Sequence, residues 1–167
     1  MKYTSAEAAK LLRGLNEQHD LMLNKEAQSS SFVASVSEDP ESVRPDYDYA
    51  ETRLRLAELE RKIRAVKHAI NVFNTTTKVP PFDMTIDEVL VYIPQLSASK
   101  LRLQDMANAL PKRRERTGAQ SSVIDYRYTN YDVAKAEKDM LETGDLLARV
   151  QTALDLVNTT ETMEIEL

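Results

Sequence analysis

The chain repeats itself. Residues 47–76 read YDYAETRLRLAELERKIRAVKHAINVFNTT, and residues 131–160 read YDVAKAEKDMLETGDLLARVQTALDLVNTT. Aligned at a shift of 84 positions, nine residues are identical: Tyr47/Tyr131, Asp48/Asp132, Ala50/Ala134, Glu58/Glu142, Val66/Val150, Ala69/Ala153, Asn74/Asn158, Thr75/Thr159 and Thr76/Thr160. Leu56/Met140, Ile63/Leu147 and Ile70/Leu154 keep apolar character. Any two amphipathic helices share apolar spacing, but the paired Tyr-Asp start and Asn-Thr-Thr finish are harder to reach by chance. A duplicated sequence must fold into two similar supersecondary units, which narrows the accessible architectures sharply.

A weaker match upstream, at a shift of 81, sets Thr4-Ser5-Ala6-Glu7 against Thr85-Ile86-Asp87-Glu88 and Leu15 against Leu96. Both tetrads have the form Thr-x-x-Glu. In a capping box the Thr hydroxyl accepts from the N–H three residues on, while the Glu side chain returns to the Thr N–H. Each half therefore reads as a capped helix, a loop and a longer helix.

Four helices are predicted. The first covers residues 5–26, with Ala8, Leu11, Leu12, Leu15, Met22 and Leu23 largely on one face. The second covers 47–73; Leu56, Leu59, Ile63, Val66, Ile70 and Phe73 recur every three or four residues, a narrow heptad seam. Asn74 suits a helix-ending position, because Asn tolerates a left-handed backbone. The third covers 85–110, carrying Ile86, Val89, Leu90, Ile93, Leu96, Leu103, Met106 and Leu110. Pro94 predicts a kink or break near 91–93, and Pro111 an end. The fourth covers 131–157, on a seam of Val133, Met140, Leu147, Val150, Leu154 and Val157.

The loops inside the halves, about 20 residues each, are long for helical hairpins. Phe32, Ala34 and Val36 alternate with other residues, as do Ile124, Tyr126 and Tyr128, and period-2 alternation predicts short strands. Ala27–Val33 also resembles Ala119–Ile124. The expected fold is all-α: four long antiparallel helices from two helix–loop–helix repeats, about 4–77 and 85–160, in a single domain 1–167. The two long loops are expected to form a small β-ribbon together.

Composition sets the bounds on function. In 167 residues, 42% are hydrophobic, and 3 Gly and 6 Pro are too few for a loop-rich or disordered chain. The absence of cysteine excludes a disulfide scaffold, a thiolate zinc site and a cysteine nucleophile. The start, MKYTSAEAAKLLRGLNE, lacks a signal-like apolar stretch. The longest apolar run noted, Val89–Ile93, is far short of the roughly 20 residues that cross a bilayer. A cytoplasmic protein without a membrane partner is expected. With a net charge of −5, a global attraction to nucleic acid is not expected.

The capped first helix, the seam helix ending in Asn-Thr-Thr and the block at 131–160 are similar to a family of small bacterial proteins sometimes labelled septicolysin-like. That resemblance implies a mostly helical fold of antiparallel helices with short strands, and no established enzymatic activity.

Candidate chemistry is sparse. Only His19 and His68 are histidines, and a carboxylate-bridged di-iron bundle would want Glu three residues before each; Asn16 and Ala65 stand there instead. A Ser-His-Asp triad would lack a nucleophile elbow, and no phosphate-cradling glycine loop exists. Magnesium-dependent helical pyrophosphatases need carboxylates at i, i+3 on facing helices. Glu38/Glu41 spans Pro40 in a loop and Glu161/Glu164 lies in the tail, so neither qualifies. Asn74-Thr75-Thr76 and Asn158-Thr159-Thr160 match the glycosylation pattern but read more simply as a helix stop and turn. No catalytic, cofactor-binding or metal-ligating residue is assigned.

The densest charge run is Lys112-Arg113-Arg114-Glu115-Arg116, followed by Tyr126, Tyr128 and Tyr131. It reads first as a solvated loop start with cations suited to a helix C-terminus. Tyr47 and Tyr49 hold the matching place in the first half and read as anchors of helix starts. The expected function is a non-catalytic helical scaffold that self-associates or binds a protein. The alternative is a nucleic-acid or nucleotide accessory protein using residues 112–116 and the nearby tyrosines.

Overall fold

A computed structural model describes residues 1–115 and 124–167. In chain order the elements are β1 (Lys2–Thr4), α1 (Ser5–Ser29), α2 (Pro40–Val43), α3 (Tyr49–Thr76), β2 (Lys78–Val79), β3 (Met84–Thr85), α4 (Ile86–Ala107), β4 (Lys112–Arg114), β5 (Tyr126–Tyr128), α5 (Val133–Thr160) and β6 (Thr162–Glu164). The protein is mostly helical, with three small two-stranded antiparallel sheets among the described residues. It divides into two compact units, Met1–Thr76 with Val157–Leu167, and Thr77–Leu156.

In the first unit, β1 pairs with β6 in the register Lys2↔Glu164, Tyr3↔Met163, Thr4↔Thr162. The ladder continues where the Ile165 N–H donates to the Met1 carbonyl at 2.9 Å. Thr4 closes β1 and caps α1: its hydroxyl accepts from the Glu7 N–H, and the Thr4 N–H donates to Glu7 Oε2 at 2.8 Å, the full capping box. α1 packs along α3 in opposite direction, since His19 faces Glu60 and Glu26 meets Tyr47. Asp48 starts α3, its carboxylate accepting from the Glu51 N–H at 2.8 Å. The buried residues of this unit are Ala8, Leu15, Val66, Phe73, Val157, Met163 and Ile165.

In the second unit, β2 pairs with β3 in the register Lys78↔Thr85, Val79↔Met84. The turn between them carries Pro80, Pro81 and Asp83, the last at φ 49°, a left-handed conformation that Asp tolerates. Lys78 steadies that turn, its ammonium donating to the Asp83 carbonyl at 2.8 Å. Thr85 closes β3 and caps α4 with a second capping box through Glu88. Asp132 starts α5, its carboxylate accepting from the Ala134 and Lys135 N–H groups. Buried here are Val79, Ile86, Val89, Leu96, Ala136, Val150 and Leu154.

The structure corrects several expectations. The β-ribbon is not shared by the two long loops: β4 and β5 both belong to the second loop. The first loop contributes no strand; it holds α2, capped by Asp39 with Pro40 at its first turn. Local bonds win there, Ser35 donating twice to Glu38, so Phe32, Ala34 and Val36 have no ladder to join. Gln120, Ser121, Ser122, Val123 and Ala119, matched to the first loop by sequence, lie outside the described residues. Asn74 and Asn158 do not end their helices, which run on to Thr76 and Thr160. At α3 the hydroxyls of Thr75 and Thr76 donate to the Val72 carbonyl, occupying an acceptor that the helix end would leave open. Pro94 does not break α4, which is continuous from Ile86 to Ala107. Pro94 and Leu90 are exposed, so the carbonyl that loses its partner to proline faces water. Leu23, Leu90 and Leu110, counted among the apolar positions of their helices, are exposed.

Candidate interaction surfaces

The residues that could hold a metal are dispersed or already engaged. His19, on α1, lies 3.6 Å from Asp20 and 3.6 Å from Glu60 of α3. His68 is exposed on α3. Glu38 accepts from Ser35, and Glu41 pairs with Arg44 at 2.6 Å. Among the described residues no three His, Asp or Glu side chains converge on one point, and no polar or charged residue is buried.

The shifted titrations follow from exposed caps and pairs. Glu7 and Glu88 are held below the usual carboxylate range, first by the backbone N–H of Thr4 and Thr85, then by the threonine hydroxyls. Glu58 is lowered by the hydrogen bond from Lys62, and Glu115 by that from Arg127. Tyr47 is raised, chiefly because its hydroxyl donates to Glu26 at 2.8 Å and ionisation would put two anions together.

At the start of the second long helix of each unit a tyrosine reaches back to the end of the first. Tyr47 donates to Glu26 of α1. Tyr131 donates to the Met106 carbonyl of α4 at 3.0 Å. Tyr47 and Tyr131 serve as anchors, as their repeated position suggested; Tyr49, expected to share that role, is exposed. The neighbouring aspartates, Asp48 and Asp132, are the helix caps; their place just before an apolar-periodic segment is a signal that sequence reasoning passed over.

Beside the second junction stands the β4–β5 ribbon, in the register Lys112↔Tyr128, Arg113↔Arg127, Arg114↔Tyr126. The ladder extends to Pro111 and Thr129 at one end and to Glu115 and Asp125 at the other. Alternation puts Lys112, Arg114, Tyr126 and Tyr128 on one face, and Arg113, Arg127 and Glu115 on the other. The first face is a cation–aromatic surface: the Lys112 ammonium lies 4.2 Å from the Tyr126 ring centre and 5.4 Å from that of Tyr128. On the second, Arg127 makes a two-pronged bond to Glu115, at 2.7 and 3.1 Å. Arg113 and Arg114 have no ion-pair partner among the described residues. Asn108, Leu110, Arg113, Arg127, Tyr128 and Tyr131 line an open hollow of about 640 Å³. Arg116, the last cation of the run, lies outside the described residues.

A second hollow, of about 390 Å³, is apolar. Pro80, Pro81 and Phe82 form one wall, and Ala148, Ala153 and Leu156 of α5 the other. Arg149 lies over the Phe82 ring at 5.9 Å. Sequence reasoning missed this groove, because nothing local to the Pro80-Pro81-Phe82 turn says which helix it lies against. Among the described residues no helix is long and apolar enough to cross a membrane.

No family model matches the chain, and no curated protein matches it. The fold is similar to that of a functionally unknown conserved protein from Corynebacterium diphtheriae, seen in a crystal structure. The TM-score is 0.57 at 16% sequence identity, over 98% of this chain and 100% of that one. At that identity the likeness concerns the fold alone.

Proposed function

We propose that this protein is a non-catalytic helical scaffold, built from two helix–loop–helix repeats, that self-associates or binds a protein partner in the cytoplasm. The observation that carries the reading is the apolar groove between the Pro80-Pro81-Phe82 turn and α5. A groove with two proline rings, an aromatic face and small helix residues suits a helix or apolar segment from another chain. Leu101 and Leu141, 63% and 59% exposed, add apolar surface on the same unit.

Several pairings support the duplication. The register Thr4↔Thr162, Tyr3↔Met163 has its counterpart, at the sequence shifts of 81 and 84, in Thr85↔Lys78, Met84↔Val79. Buried Ala8, Leu15, Val66 and Phe73 correspond to buried Val89, Leu96, Val150 and Val157. His19 faces Glu60 in the first unit, and in the second the corresponding Lys100 lies against Gly144. Kinship with the septicolysin-like family belongs to the same proposal and would add no activity to it.

Sedimentation velocity over the micromolar range tests self-association. The expected result is a concentration-dependent dimer or larger species, lost when Phe82 and Ala153 are both replaced by Glu. A monomer at every concentration, with no partner retained in pull-downs, would remove the support.

A further inference from the structure

We propose that the β4–β5 ribbon is a platform for single-stranded nucleic acid. This goes beyond the scaffold reading and does not rest on it. The first ground is charge. In a chain of net charge −5, three consecutive cations, Lys112, Arg113 and Arg114, stand exposed on one short strand. The ribbon itself carries two acids, Glu115 and Asp125. Arg127 takes up the Glu115 carboxylate, leaving Asp125 at the end of the ladder. Arg113 and Arg114 have no ion-pair partner among the described residues. Lys112 and Arg114 share the tyrosine face, with Arg113 on the opposite one, so a polyanion laid on that face meets two cations.

The second ground is the aromatic face. Tyr126 and Tyr128 are 47% and 63% exposed and project to the same side of β5, across from Arg114 and Lys112. The Lys112 ammonium sits beside both rings, and bases stack on an exposed ring whatever their sequence, with a cation at hand for the adjoining phosphate. Residues i and i+2 of a strand lie about 6.7 Å apart, roughly twice the 3.4 Å rise of a stacked nucleic-acid strand. Two rings at that spacing suit an extended, unstacked strand with one base on each. A duplex holds its base faces inside the stack and could use the cations alone. An acidic peptide could likewise use the cations but would leave the rings idle.

The test is fluorescence anisotropy with the full chain at low salt, using a labelled single-stranded RNA of about 12 nucleotides, a hairpin in which that segment is paired with an added complement, and labelled polyglutamate. The single strand should bind about tenfold or more tightly than either competitor, with log K falling against log salt at a slope of about −1.4 for two phosphate contacts. Replacing Tyr126 and Tyr128 by Leu should weaken binding about fivefold or more, while Phe at both positions preserves it. Arg114→Gln should flatten the salt slope by about 0.7, and Arg113→Gln, on the opposite face, should change it less. Absence of binding at low salt overturns the proposal. So does equal affinity for the hairpin or for polyglutamate, a comparison that needs no variant, and so does a Leu variant, folded by circular dichroism, that binds like the native chain.

Discussion

At Thr4 and Thr85 the hydroxyl takes the N–H of a glutamate three residues on, and the glutamate returns the bond to the threonine N–H. These four-residue motifs were fully legible in the sequence, because every atom they use lies within one helical turn. They also set a pH dependence. The folded protein holds Glu7 and Glu88 below their ordinary value of 4.5, so each contributes stability that is present above that value and lost as pH falls through the lowered folded value. Thermal unfolding followed from pH 7 to pH 2 should therefore show a fall in midpoint below about pH 4.5. In the E7Q/E88Q double variant that fall should be shallower, and the neutral-pH midpoint lower. The asparagines taught the opposite lesson. Asn74 can adopt a left-handed cap, but tolerance is not preference, and Thr75 and Thr76 hold the chain helical past it.

The long helices were each placed within a few residues, because apolar spacing over about seven turns leaves no other regular conformation that buries the same stripe. Glycine is the weak point inside two of them. Gly14 lies in the middle of α1, where a Cβ would meet nothing within 4 Å. Gly14→Ala should stabilise the protein by about 0.5–1 kcal/mol, read as a rise in the denaturant midpoint with unchanged slope. At Gly144 in α5 a Cβ would come within 3.4 Å of Lys100 Cε, the far end of a flexible side chain that can move aside. Gly144→Ala should therefore gain less than Gly14→Ala in the same measurement. Short strands were less legible than helices. Tyr126 and Tyr128 alternate and form β5, whereas Phe32, Ala34 and Val36 alternate and form nothing regular. Alternation alone does not make a strand; a partner must be in reach, and Pro111–Glu115 supplies one only for the second loop.

Across the whole molecule, the duplication reading makes a quantitative demand. Val66 and Val150 are both fully buried, one in each unit, at matching positions of α3 and α5. Val66→Ala and Val150→Ala should each cost about 2 kcal/mol, and the two losses should agree closely if the positions are equivalent. A large difference between them in equilibrium denaturation would count against two like halves. The amino-acid sequence by itself determined where the helices run, how α1 and α4 begin, and which stripe of each helix is apolar. Those properties depend on residues three, four or seven positions apart. Only the tertiary structure decided that β1 finds β6 across nearly the whole chain, that the ribbon closes within one loop, and that Pro80-Pro81-Phe82 forms a groove with α5. A strand's hydrogen bonds and a groove's far wall come from residues distant in sequence, and no local pattern says which distant residues will arrive.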